Sequence, residues 1–127
     1  MVSAGYAAGG ISGSVATLAS GAVPFLLLGI NEEMMFRGLV QGVLDPFPLG
    51  SRCVLVGLVL GAQHTANLLF GHTLYDTGAQ VLSATGSGFA YAAARARIGT
   101  IWPLALLHGP GNFSDTHATV PFTPACT

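Results

Sequence analysis

The stretch Pro24–Leu44, PFLLLGINEEMMFRGLVQGVL, sets Asn31, Glu32, Glu33 and Arg37 among side chains that are otherwise mostly apolar. A helix over these residues would be about 30 Å long, one hydrocarbon thickness. Pro24 is expected to open it, since proline is tolerated in a first turn. Asp45-Pro46-Phe47-Pro48 is expected to stop it, because prolines and the residues before them disfavour helix. Ionisable groups inside such a span are costly, and they mark function by default.

The rest of the chain has the same character. Of 127 residues, 51% are hydrophobic and 7% are charged, with no lysine. A water-soluble domain carries roughly 25% charged residues. This composition excludes an ordinary cytosolic domain, and it is far too apolar for disorder. A nucleic-acid partner is also excluded, because a net charge of −1 offers no basic stripe. The lipid bilayer is the expected partner, and the length admits four or five spans of about 20 residues. The expected fold is all-α, a polytopic transmembrane bundle of about four helices.

Residues 49–71 form the second apolar stretch, entered through Arg52. Tyr75-Asp76-Thr77-Gly78 reads as a loop, and the third stretch, 79–94, is rich in Ala and Gly, which lets helices in lipid approach closely. Arg95 and Arg97 flank a break at Gly99, and a fourth stretch begins at Ile101. The chain divides into a weakly apolar Gly/Ala-rich segment (1–21), a core domain (22–113) and a polar tail (114–127) expected to be unstructured. Residues 1–20 lack the basic flank of a cleaved signal peptide. Cys53 and Cys126 lack the spacing of a metal site or disulfide framework. Arg52, Arg95 and Arg97 fall in loops on one side, which the positive-inside rule places in the cytoplasm.

Glu33 and Arg37 are four apart and can pair on one helix face. Glu32 is rotated by about 100° and is expected to stay available. The bland alternative is an ion pair with a bystander glutamate. His64 and Asn67 are three apart on the second helix; His108 and Asn112 are four apart on the fourth. Gly109-Pro110-Gly111 between the latter two predicts a helix distorted or ended at His108. A lone helical histidine is usually a packing group, but depth argues otherwise here. Measured from Asp45, Arg52 and Arg97, Glu32, His64 and His108 lie about 20, 18 and 16 Å along their helices. Groups level on three helices suggest acid–base chemistry or a metal site. The same three match a catalytic zinc set of two histidines and a glutamate, although the HExxH spacing is absent. No cofactor is the first expectation, with Zn²⁺ as the alternative.

At these residues the chain resembles the CPBP family of intramembrane proteases, the CAAX-processing and bacteriocin-processing (Abi) group. Its motifs read here as Glu32-Glu33-x-x-x-Arg37, then His64, then His108 with Asn112, and the segment GFAYAAARARIGTIWPLALLH is also similar. Leu60 stands where the family has phenylalanine. The resemblance covers residues 22–113. It implies a multi-pass protein of a bacterial cell membrane that cleaves membrane-associated peptides or proteins, of CAAX or leader and bacteriocin type. It casts Glu32 as general base and His64 as holding the water. His108 and Asn112 become oxyanion donors, with Glu33 and Arg37 bracing them. The family domain usually has further helices before the first motif, so a shortened or fragmentary domain is expected. Rival readings are a non-catalytic scaffold or immunity-type relative, a metal-dependent protease and an ion-pathway subunit. Catalysis requires that Glu32, His64, His108 and Asn112 converge.

Overall fold

The structure, a computed structural model, describes residues 14–117. Most of the N-terminal segment, Cys126 and the tail beyond residue 117 lie outside the described residues. The described chain is all-α, with no strand, and forms four helical rods. Helix α1 (Val15–Glu33) passes without a break into a π-helical stretch, Met34–Val40, and a last turn, Gln41–Val43. Helix α2 (Leu49–Gln63) continues as a 3-10 helix, His64–Phe70. Helices α3 (Leu74–Ile98) and α4 (Trp102–His117) complete the chain.

Several boundaries differ from those read in the sequence. Helix α1 begins at Val15 and runs through Pro24, whose ring is exposed. A proline inside an apolar helix removes one hydrogen bond without breaking the rod when neighbouring groups compensate. Residues 75–78 are helical, and the reason is local. Thr73 Oγ1 accepts from the Asp76 N–H at 3.1 Å and donates to Asp76 Oδ2 at 2.6 Å. That cap turns a loop-like composition into the first turn of α3. Gly99, at φ 79°, ends α3 in the left-handed conformation, with its N–H on the Arg95 carbonyl. Helix α4 crosses Pro110 and reaches His117, past the expected start of the tail.

Four glycines place the rods. A Cβ on Gly57 would lie 2.6 Å from the Thr85 carbonyl oxygen, and one on Gly88 would lie 2.8 Å from Gly57 Cα. Helices α2 and α3 therefore cross backbone to backbone. The same holds for α1 and α4, where a Cβ on Gly109 would meet Leu26 Cα at 2.7 Å and one on Gly29 would meet the Gly109 backbone. Phe25 and Phe113 pack edge to face beside that crossing, with ring centroids 5.6 Å apart. Two antiparallel pairs result, and the Met34–Val43 segment of α1 joins them.

Beside a small apolar core, the bundle buries charged side chains and exposes many large apolar ones. Glu32, Glu33, Arg37, Gln41 and Thr77 are buried, while Leu27, Leu39, Leu58, Leu82 and Leu106 are exposed. Among the described residues one stretch, Leu49–Phe70, is long and apolar enough to cross a membrane, with mean hydropathy 1.6, whereas about four such spans were expected. Helix α3 carries its charges only in its end turns, but its interior is rich in Gly, Ala, Ser and Thr and weakly apolar, and α4 has only 16 residues.

The crossings make a direct prediction. Gly57→Ala and Gly29→Ala should each destabilise the fold by about 1–3 kcal/mol through overpacking. Gly86→Ala, where a Cβ meets nothing within 4 Å, should stabilise it by about 0.5–1 kcal/mol. Thermal unfolding in detergent measures all three.

Candidate active site

Glu32 and Glu33 close the α-helical part of α1, immediately before the π-helical stretch. Such widened turns recur at functional sites, because they re-aim side chains within an otherwise continuous helix. Both glutamates are buried, as are Phe36 and Arg37 in the next turn. Arg37 Nη1 lies 3.0 Å from Glu33 Oε1, the expected pairing at four residues' separation. Its Nη2 donates to the Gly88 carbonyl on α3 at 3.4 Å. One turn further on, Gln41 Nε2 donates to the Ala92 carbonyl at 3.0 Å. The two side chains reach successive turns of α3, so α1 and α3 run parallel here.

His108 comes in from α4 and touches both glutamates. Its Nδ1 lies 2.7 Å from Glu33 Oε1, and its Nε2 lies 3.1 Å from Glu32 Oε2. Nδ1 and Glu33 share a hydrogen bond, and Nε2 faces Glu32 within ion-pair distance, with Arg37 as the other basic group of the cluster. Asn112 Nδ2 donates to the same Glu32 oxygen at 3.4 Å. Pro110 therefore leaves the His108–Asn112 face intact, against the expected distortion. Gly109 supplies the reason: its bare backbone rests on Leu26 and holds this part of α4 against α1.

The sequence leaves Glu32 available, but in the fold it is held by His108 and Asn112. The rotation between the two glutamates is bridged by the two ends of one imidazole. Tyr91 of α3 was not among the residues singled out in the sequence. Its ring lies 5.2 Å from the Arg37 guanidinium and stands at 87° to the His108 ring, with centroids 5.5 Å apart. Gln41 was equally inconspicuous. Nothing in a one-dimensional pattern separates a tyrosine facing an arginine from one facing lipid.

His64 is placed differently. It is half-buried at the junction of α2 with the 3-10 helix, and its Nδ1 lies 2.9 Å from the Leu60 carbonyl. Because a carbonyl only accepts, Nδ1 donates and Nε2 is left as the ring's other site. Among the described residues, no hydrogen bond, ion pair or ring contact joins His64 to the glutamates or His108. Asn67 donates instead to Gln80 on α3. The described residues contain no group of three His, Cys, Asp or Glu side chains placed to hold a metal ion. Of Glu32, His64 and His108, the first and last meet, and His64 makes no contact with either among the described residues. Both nitrogens of His108 are already turned to carboxylates. Cys53 is buried in the apolar core with Val56 and Leu60.

The all-α bundle thus gathers a carboxylate pair, a histidine, an asparagine and an arginine between α1 and α4. The model of the Rce1-like type II CAAX prenyl endopeptidases matches residues 14–114, and the chain belongs to that family. Neither a curated protein nor a solved structure gives a significant match.

Arg37 offers a test of the buried pair. Arg37→Met leaves Glu33 with one cationic neighbour fewer at a fully buried position, and should cost about 3–5 kcal/mol of stability in detergent melts. Adding Glu33→Gln to that variant should restore part of the loss, since the uncompensated charge is gone.

Proposed function

We propose that this chain is a polytopic intramembrane endopeptidase that hydrolyses a peptide bond of a membrane-associated substrate. The observation that carries the reading is the meeting of Glu32, His108 and Asn112 around one carboxylate oxygen, in a chain of a prenyl endopeptidase family. Peptide hydrolysis needs a base for water and donors for the developing oxyanion. Glu32 is the general base. When substrate arrives, His108 Nε2 and Asn112 Nδ2 turn from the Glu32 oxygen to the scissile carbonyl, whose oxygen takes the same negative charge. Glu33 holds His108 from the other side of the ring, and Arg37 neutralises Glu33. His64 presents Nε2 to the attacking water. The buried charges and the many exposed large apolar side chains support a site inside the bilayer, where water is scarce and donors act at low dielectric.

The substrate class follows the family: a peptide ending in a prenylated cysteine and three further residues, or a leader peptide. The measurement is cleavage of such peptides by the full chain reconstituted in liposomes. Glu32→Gln should lower turnover by about 10²–10⁴-fold, the usual weight of a general base. Wild-type turnover in that variant overturns the assignment and favours a non-catalytic scaffold. Hydrolysis should continue in excess chelator. Loss of activity that zinc restores would return the metal reading.

A further inference from the structure

The contacts of Tyr91 close a ring that no pairwise reading of the site contains. Tyr91 faces the Arg37 guanidinium at 5.2 Å and the His108 imidazole at 5.5 Å. Arg37 binds Glu33 at 3.0 Å, and Glu33 binds His108 at 2.7 Å. Going round, the members are Tyr91, Arg37, Glu33 and His108. Three of them belong to the α1–α4 pair. Tyr91 alone comes from α3, and its ring carries α3 to the catalytic level. Arg37 and Gln41 bolt α1 to the Gly88 and Ala92 carbonyls on either side of it.

We propose that Tyr91 is a positioning residue of the site, acting through its aromatic ring and not its hydroxyl, and setting the plane of the His108 imidazole. The inference rests on the hydrolytic reading above. In the resting cluster two carboxylates hold the imidazole, one at each nitrogen. During reaction Glu32 must leave His108 to take a proton from water. Glu33 at Nδ1 then fixes one point of the ring but not its rotation about the axis through that point. A perpendicular aromatic ring removes the remaining freedom, because edge-to-face pairs have a defined geometry. The same ring spreads its negative face beneath Arg37 and so keeps the guanidinium on Glu33. Both effects need the π-system, and neither needs the phenolic oxygen.

The test compares Tyr91→Phe with Tyr91→Leu in the full chain. Turnover is measured on a quenched fluorescent peptide with a farnesylated cysteine, in liposomes. The His108 ring is followed by NMR in micelles, assigned with His108→Gln. The ring-retaining variant should match wild type in kcat, KM and His108 resonances. The leucine variant should lose about tenfold in kcat, as expected for a misaligned catalytic group. Its KM should stay within about twofold, because alignment acts on the transition state. Its His108 ring should lose NOE contacts to the Glu33 side chain, a change that loss of the Tyr91 ring current alone does not produce. Should the leucine variant not fold, Tyr91→Met is held to the same criteria. Unchanged His108–Glu33 NOE contacts without the aromatic ring overturn the proposal, as does a Tyr91→Phe variant that loses as much kcat as Tyr91→Leu. If the wild-type chain cleaves no peptide, the hydrolytic reading fails by itself. The NMR comparison then still decides whether Tyr91 positions His108.

Discussion

Glu33 Oε1 meets two partners at once, an ion-pair contact with Arg37 Nη1 at 3.0 Å and a hydrogen bond with His108 Nδ1 at 2.7 Å, and so ties α1 to α4. A carboxylate away from water is tolerated only when its charge is met by partners with good geometry. Glu33 and Arg37 are essentially inaccessible, at 0% and 1% exposure, so the condition applies in full. One partner lies on the same helix and the other on α4, which makes the α1–α4 packing a requirement of charge balance. Through Arg37, the constraint extends to the Gly88 carbonyl and so to α3.

The glycine crossings make that arrangement reachable. Gly29 against Gly109 lets α1 and α4 approach until an imidazole spans two adjacent glutamates. Gly57 against Gly88 does the same for α2 and α3, and leaves the Gly88 carbonyl in reach of Arg37. In lipid, where apolar side chains gain little by leaving the solvent, close backbone packing and buried polar contacts carry association. This bundle uses both, with the small residues clearing the way for the charged ones.

Much of the site was legible because its residues are conspicuous against an apolar background. Glu32, Glu33, Arg37, His108 and Asn112 were all singled out by spacing, and the fold gathers them. Glu32 and His108 touch in the fold, but a shared level along the helices does not by itself rotate a side chain inward. His64 sits on a 3-10 turn and spends Nδ1 on the Leu60 carbonyl. The Thr73-x-x-Asp76 cap was readable in principle and was outweighed by the loop-like residues after it. Tyr91 and Gln41 carried no signal at all, because each acts through a partner about fifty positions away.

The amino-acid order by itself determined the class: too few charges for water, four apolar stretches, and the family motifs in sequence. It also determined which residues can titrate, because so few exist. The tertiary structure alone decided how they are coupled. That one histidine would serve both glutamates, that Asn112 would reach Glu32 across a proline, and that an aromatic ring from α3 would close the circuit depend on helix rotations and close crossings. Those are set by packing between distant segments, and local spacing carries no record of them.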